Sequence, residues 1–94
     1  MVDTVKIAPS VCVGQEQITS LAASAPLAAI PGTATGAILK SRVQGFYLRL
    51  TGGAATSADM AITVDVPVEV TSDLADVRVL QQAATAVVDV WYFQ

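Results

Sequence analysis

From residue 37 onward the chain alternates β-branched and other apolar residues with polar ones at a period of two, in runs that end on clusters of Gly, Pro, Asp and Ser. That period sends successive side chains to opposite faces of a strand and does not fit a helix. No window longer than about ten residues carries a helical apolar stripe. The pattern predicts strands over 4–8, 11–13, 18–21, 37–43, 46–51, 60–66, 68–71, 77–80 and 85–93. Short strands at this spacing predict an all-β domain, a small β-sandwich or jelly-roll-like fold. Residues 1–17 mix short apolar pieces with Pro9, Gly14 and the polar block Gln15, Glu16 and Gln17, so they read as an extended N-terminal arm ahead of a sandwich domain over 18–94.

Parity along the strands sorts side chains into a core face and an outer face. Leu39, Ser41 and Val43 share one parity while Phe46, Leu48 and Leu50 fall on the other, so something resets the register at Gln44 and Gly45. A two-residue hairpin there would set Lys40 opposite Arg49, an unfavourable like-charge pair; a bulge at Gly45 keeps the strand running. The bulge points Val43, Phe46, Leu48 and Leu50 inward and leaves Lys40, Arg42, Tyr47 and Arg49 on one outer face, solvated or against an acidic partner. Met60, Ile62, Val64 and Val66 then form a core face, with Thr63 and Asp65 outward. Pro67 cannot donate to a ladder and marks an edge or a change of sheet. The segments 51–53 and 71–73 read as turns. In the last strand Ala86, Val88, Val90 and Tyr92 oppose Asp89, which places Val87, Trp91 and Phe93 on the outward side with that aspartate.

With 94 residues, the chain is one domain with a thin core. Only 14% of its residues are charged and 53% are apolar, a balance that favours burial of some surface against partners. Five basic residues in a chain of net charge −3 leave no electrostatic footprint for nucleic acid. The uncharged run over 17–39 is broken by Pro26, Pro31, Gly32 and Gly36 and makes a poor membrane helix, and the stretch before Ala23, Ser24 and Ala25 lacks the apolar segment of a targeting signal.

There is no histidine, so catalysis would have to rest on carboxylates, Cys12, lysine or tyrosine, and nothing arranges them for it. The reading is a protein that is not an enzyme, with no cofactor, no metal and no small-molecule substrate. Asp73 and Asp76 lack the further oxygen ligands of a calcium site and read as a solvated turn. Cys12 has no neighbouring activator. The glycines at 32, 36, 52 and 53 do not follow the order of a phosphate loop. The outward Trp91 and Phe93 are the candidate interface anchors, since large aromatics are enriched where proteins meet. Val87, Trp91, Phe93, Tyr47, Lys40, Arg42 and Arg49 make up the candidate interface.

The stretch over 18–94 resembles small β-sandwich structural proteins of tailed-bacteriophage virions. The likeness is carried by Ala37-Ile38-Leu39-Lys40-Ser41-Arg42-Val43 running into Phe46-Tyr47-Leu48-Arg49, the Gly52 turn with Ala55 and Thr56, then Met60, then Asp73-Leu74-Ala75 leading to Val77-Arg78-Val79-Leu80, and the ending Val88-Asp89-Val90-Trp91-Tyr92-Phe93. Many such relatives carry an acidic residue just before the glycine turn, where this chain has Thr51. The resemblance implies a non-catalytic particle component assembled in the host cytoplasm: a capsid decoration or cement protein, or a head-completion or tail accessory protein. Its partners would be further copies of itself and other virion proteins, above all the major capsid protein. A carbohydrate- or surface-binding β-module is the reading from a different class; there, aromatics would be grouped with polar residues in a groove.

Overall fold

The structure is a computed structural model and describes residues 11–71 and 73–94. Among the described residues there are eight strands: β1 (Cys12–Ile18), β2 (Ala25–Pro26), β3 (Gly36–Arg42), β4 (Phe46–Arg49), β5 (Met60–Ile62), β6 (Val68–Val70), β7 (Arg78–Gln81) and β8 (Val87–Phe93). A 3₁₀ turn, Leu74–Asp76, precedes β7, and the Asp73 carboxylate caps it by accepting from Ala75 N.

The strands pair β1 with β8, β2 with β7, β3 with β6 and β4 with β5, all antiparallel. That is the pairing of one long hairpin whose two arms run side by side. Wrapping the hairpin on itself brings β3 beside β8 and β4 beside β7. The result is two four-stranded sheets, sheet I with order β1-β8-β3-β6 and sheet II with order β2-β7-β4-β5. An eight-stranded double sheet of this order is a jelly roll. The expected all-β sandwich is therefore the fold, within principal extents of 35 × 33 × 20 Å.

The core lies between the inner faces. Sheet I contributes Ile18, Ala37, Leu39, Val70, Val88, Val90 and Tyr92, and sheet II contributes Phe46, Leu48, Ile62 and Val79, with Leu21, Leu27 and Leu74 closing the ends from the loops. Ser41, opposite Val88, also faces inward, and its buried hydroxyl has no partner among the described residues, a local cost of about 1–3 kcal/mol that the apolar contacts around it offset.

Several expectations change. The boundary at residue 17 falls inside sheet I, because Cys12–Ile18 pairs along β8; the remainder of the expected arm, with the strand over 4–8, lies outside the described residues. The polar block concealed this strand. Gln15 and Gln17 point outward, and the inward Glu16 accepts hydrogen bonds from the Tyr92 hydroxyl and from the backbone N–H groups of Ala28 (3.3 Å) and Ala29 (2.8 Å).

The register reset at Gln44 and Gly45 is a change of sheet rather than a bulge in a continuing strand. Gln44 N donates to Arg42 O at 2.8 Å, closing a three-residue turn around Val43, which has φ 72° and is exposed rather than in the core. Such a φ is costly for a β-branched residue. The avoided pairing of Lys40 with Arg49 is indeed absent: Lys40 lies opposite Asp89 in sheet I, and Arg49 opposite Arg78 in sheet II.

The core face expected for 60–66 shrinks to Ile62, since β5 ends there and Met60 and Val66 are exposed. Pro67 does mark a change of sheet, between β5 in sheet II and β6 in sheet I. The glycine turn also holds: Gly52 and Gly53 both have φ 75°.

Candidate functional site

The seven residues expected at one interface are divided between the outer faces of the two sheets. Lys40, Arg42, Val87, Trp91 and Phe93 belong to sheet I, and Tyr47 and Arg49 to sheet II. Phe93 is not available to a partner. It pairs with Gly36 in the neighbouring strand, and its ring lies so close over that glycine that a Cβ there would meet it at 2.8 Å. Val87 is half-buried opposite Arg42. Trp91 is the exposed aromatic, 37% accessible.

On sheet I, register places side chains in rows across the strands. One row is Gln17, Asp89 and Lys40; the next is Gln15, Trp91, Ile38 and Glu69. Asp89 is 8% exposed although it faces outward, because Arg42 reaches back over it. The guanidinium makes a forked pair, Nε to Oδ2 at 2.5 Å and Nη2 to Oδ1 at 2.9 Å, and Gln17 Nε2 donates to Oδ1 at 3.1 Å. A forked pair of this kind fixes both partners in orientation. Beside this network and the indole lies a shallow depression of about 260 Å³, lined by Gln15, Glu16, Gln17, Arg42, Asp89, Val90 and Trp91.

The Arg42 hydrogen bonds hold the Asp89 carboxyl below the usual carboxylate range; burial opposes them and the Gln17 bond adds to them. A folded-state pKa below the unfolded value means that the unfolded chain binds more protons in the window between the two. The stability contributed by Asp89 is therefore complete above its ordinary pKa of about 3.9 and is lost as pH falls through the lower folded value. Thermal midpoints should decline on acidification below about pH 4, and Asp89→Asn should flatten part of that decline. An unchanged acid limb in the variant would assign the decline to other carboxylates.

On sheet II the outer rows differ in character. Leu80, Tyr47 and Ala61 lie side by side across β7, β4 and β5, and Arg78 and Arg49 form the adjoining row. Met60 is exposed on the β5 edge. Both arginines have partners that ease their proximity. Arg49 Nε donates to Gly52 O at 2.7 Å and Nη1 to Asp59 Oδ1 at 3.2 Å, while Arg78 Nη1 donates to the carbonyls of Ala75 and Val77. Arg49 thus holds the glycine turn to the loop after it.

Sequence reasoning missed Gln15 and Gln17, whose signal was their alternate spacing about Glu16, and missed Leu80 and Ala61, which reach Tyr47 only through strand pairing. Among the described residues no group of three His, Cys, Asp or Glu is placed to hold a metal ion, and no helix is long and apolar enough to cross a membrane. The fold and its two unlike faces define an eight-stranded jelly-roll β-sandwich domain. Compared with models of known protein families, with curated proteins and with solved structures, the chain has no significant match in any of the three.

Proposed function

We propose that this chain is a non-catalytic structural component of a bacteriophage virion, a decoration or cement protein that stabilises the head through protein–protein contacts. The observation that supports this reading is the outer face of sheet II, where Leu80, Tyr47 and Ala61 form an apolar row beside Arg49 and Arg78. Tyr and Arg are among the side chains enriched where proteins meet, and an apolar centre beside charged groups is the anatomy of such contacts. The resemblance of 18–94 to small virion structural proteins of tailed bacteriophages points the same way.

Ala61 tests the reading, because it is exposed on an edge strand and a larger side chain there does not enter the core. Ala61→Arg should leave the thermal midpoint within about 2 °C, as surface substitutions do, and weaken binding to particles that lack the protein by about 10-fold or more. Co-sedimentation with such particles measures it, and cryo-EM of the loaded particle distinguishes head from tail. Binding that Ala61→Arg leaves untouched, or absence of the protein from purified particles, would overturn the proposal.

A further inference from the structure

The outer face of sheet I has a different chemistry from that of sheet II. Around Trp91 stand two carboxamides, a guanidinium and a carboxylate, together with Lys40 and Glu69. Ile38, the apolar neighbour in the Trp91 row, is buried. One aromatic plate in polar surroundings is too little apolar area for the centre of a protein–protein contact. It is the complement of a small ligand with one apolar face and a rim of hydroxyl groups.

We propose that the Trp91 depression is a binding site for a neutral saccharide, with a pyranose ring stacked by its C–H face on the indole and its hydroxyls engaged by Gln15, Gln17, Arg42 and Asp89. Each hydroxyl both donates and accepts, and the site offers both partners: amide and guanidinium N–H groups donate, while carboxamide and carboxylate oxygens accept. Arg42, Gln17 and Asp89 are tied together before a ligand arrives, in a three-bond network centred on the Asp89 carboxylate. Two residues along a strand span about 7 Å, so the Asp89 row and the indole row stand one sugar ring apart. The volume of about 260 Å³ falls just below the range of about 300 Å³ upward typical of small-molecule sites and suits a single ring. The charged residues lining the depression are Arg42 against Asp89 and Glu16, a net negative balance that selects a neutral ligand over an anionic one. This inference does not depend on particle docking, which uses the opposite face.

Trp91 is the only tryptophan, so indole emission, excited beyond the absorption of the two tyrosines, reports this site alone. The full chain is titrated with maltose, cellobiose, lactose and N,N′-diacetylchitobiose. At least one should shift the emission saturably, with Kd on the order of 1 mM for so shallow a site. Gln15→Ala, an exposed position, should weaken that binding about 5-fold or more, and Trp91→Ala, followed by amide NMR, about 10-fold or more. Ala61→Arg on the far face should bind sugar as the parent chain does. No saturable shift with any of the four sugars up to about 50 mM overturns the inference, as does binding that survives both Gln15→Ala and Trp91→Ala. Normal particle docking beside absent sugar binding overturns the saccharide site alone. Loss of docking in Trp91→Ala without any sugar response overturns it too, and makes the indole a protein anchor.

Discussion

Gly45→Ala is expected to destabilise the domain by about 3 kcal/mol or more, among the largest effects of any single methyl group in this chain. Gly45 sits where the chain passes from sheet I to sheet II, directly before β4. A Cβ there would collide with the Ile62 carbonyl oxygen and lie 2.8 Å from Gln82 Oε1. Gln82 is itself fixed: its backbone N–H donates to Gly45 O at 3.0 Å, and Nε2 donates to the carbonyls of Phe46 and Ile62. The methyl group would thus push apart the ends of β4, β5 and β7 at once. For a domain of this size the loss corresponds to roughly 12–24 °C in thermal midpoint. Making the change in a Gln82→Ala background separates the two contacts, because removing the amide leaves the Ile62 carbonyl in place and should recover little. A midpoint within about 3 °C of the parent would show that the crossing can open without cost to the sheets.

What could be read from the chain was the content of the strands, and what could not was their company. Period-two alternation found β3, β4, β7 and β8 and the correct inward set on β8, because each has one face in the core and parity alone assigns the faces. The same logic failed on β1, where an inward residue is Glu16 and its partners are a tyrosine 76 positions away and two loop N–H groups. It also failed after Ile62. Met60, Val64 and Val66 keep the alternation of a strand, yet Asp65 has φ 65° and its N–H donates to Ser41 O, so the chain there is already turning toward β6.

The candidate site was legible only by parts. Parity identified Trp91 as outward, and the same parity made Phe93 outward although its ring is buried close against Gly36. Grouping Lys40, Arg42, Tyr47 and Arg49 on one face assumed a single continuing strand. The change of sheet at 43–45 sends the first two to one side of a molecule 20 Å thick and the last two to the other. Trp91 then gains Gln15 and Gln17 as neighbours, residues that sequence reasoning had assigned to an arm. The aromatic and polar grouping that marks a ligand site was present in the composition but depended on β1 pairing with β8.

Glu16→Ala is expected to cost about 3 kcal/mol, since it leaves the hydroxyl of Tyr92, a fully buried residue, without its acceptor and removes the partner of the Ala28 and Ala29 N–H groups. Tyr92→Phe removes one hydrogen bond without stranding a buried donor and should cost about 1 kcal/mol. The double variant should lose less than the two single losses combined, because no phenol remains to be left unpaired. Alkaline stability gives a second readout. Burial, helped by donation to Glu16 and by its charge, pushes the Tyr92 phenol well above its ordinary value. A raised folded-state pKa means that its contribution to stability is complete below the ordinary pKa of about 10 and is lost as pH rises through the folded value. Tyr92→Phe should therefore unfold less steeply above about pH 10 than the parent chain. Deleting residues 1–17 should be the most severe change of this series, removing Glu16 and all of β1 except Ile18 and turning β8 into an unprotected edge. Native-like melting and amide dispersion in that truncated chain would return β1 to the status of a dispensable arm. Additive losses in the double variant would show that Glu16 and Tyr92 act separately.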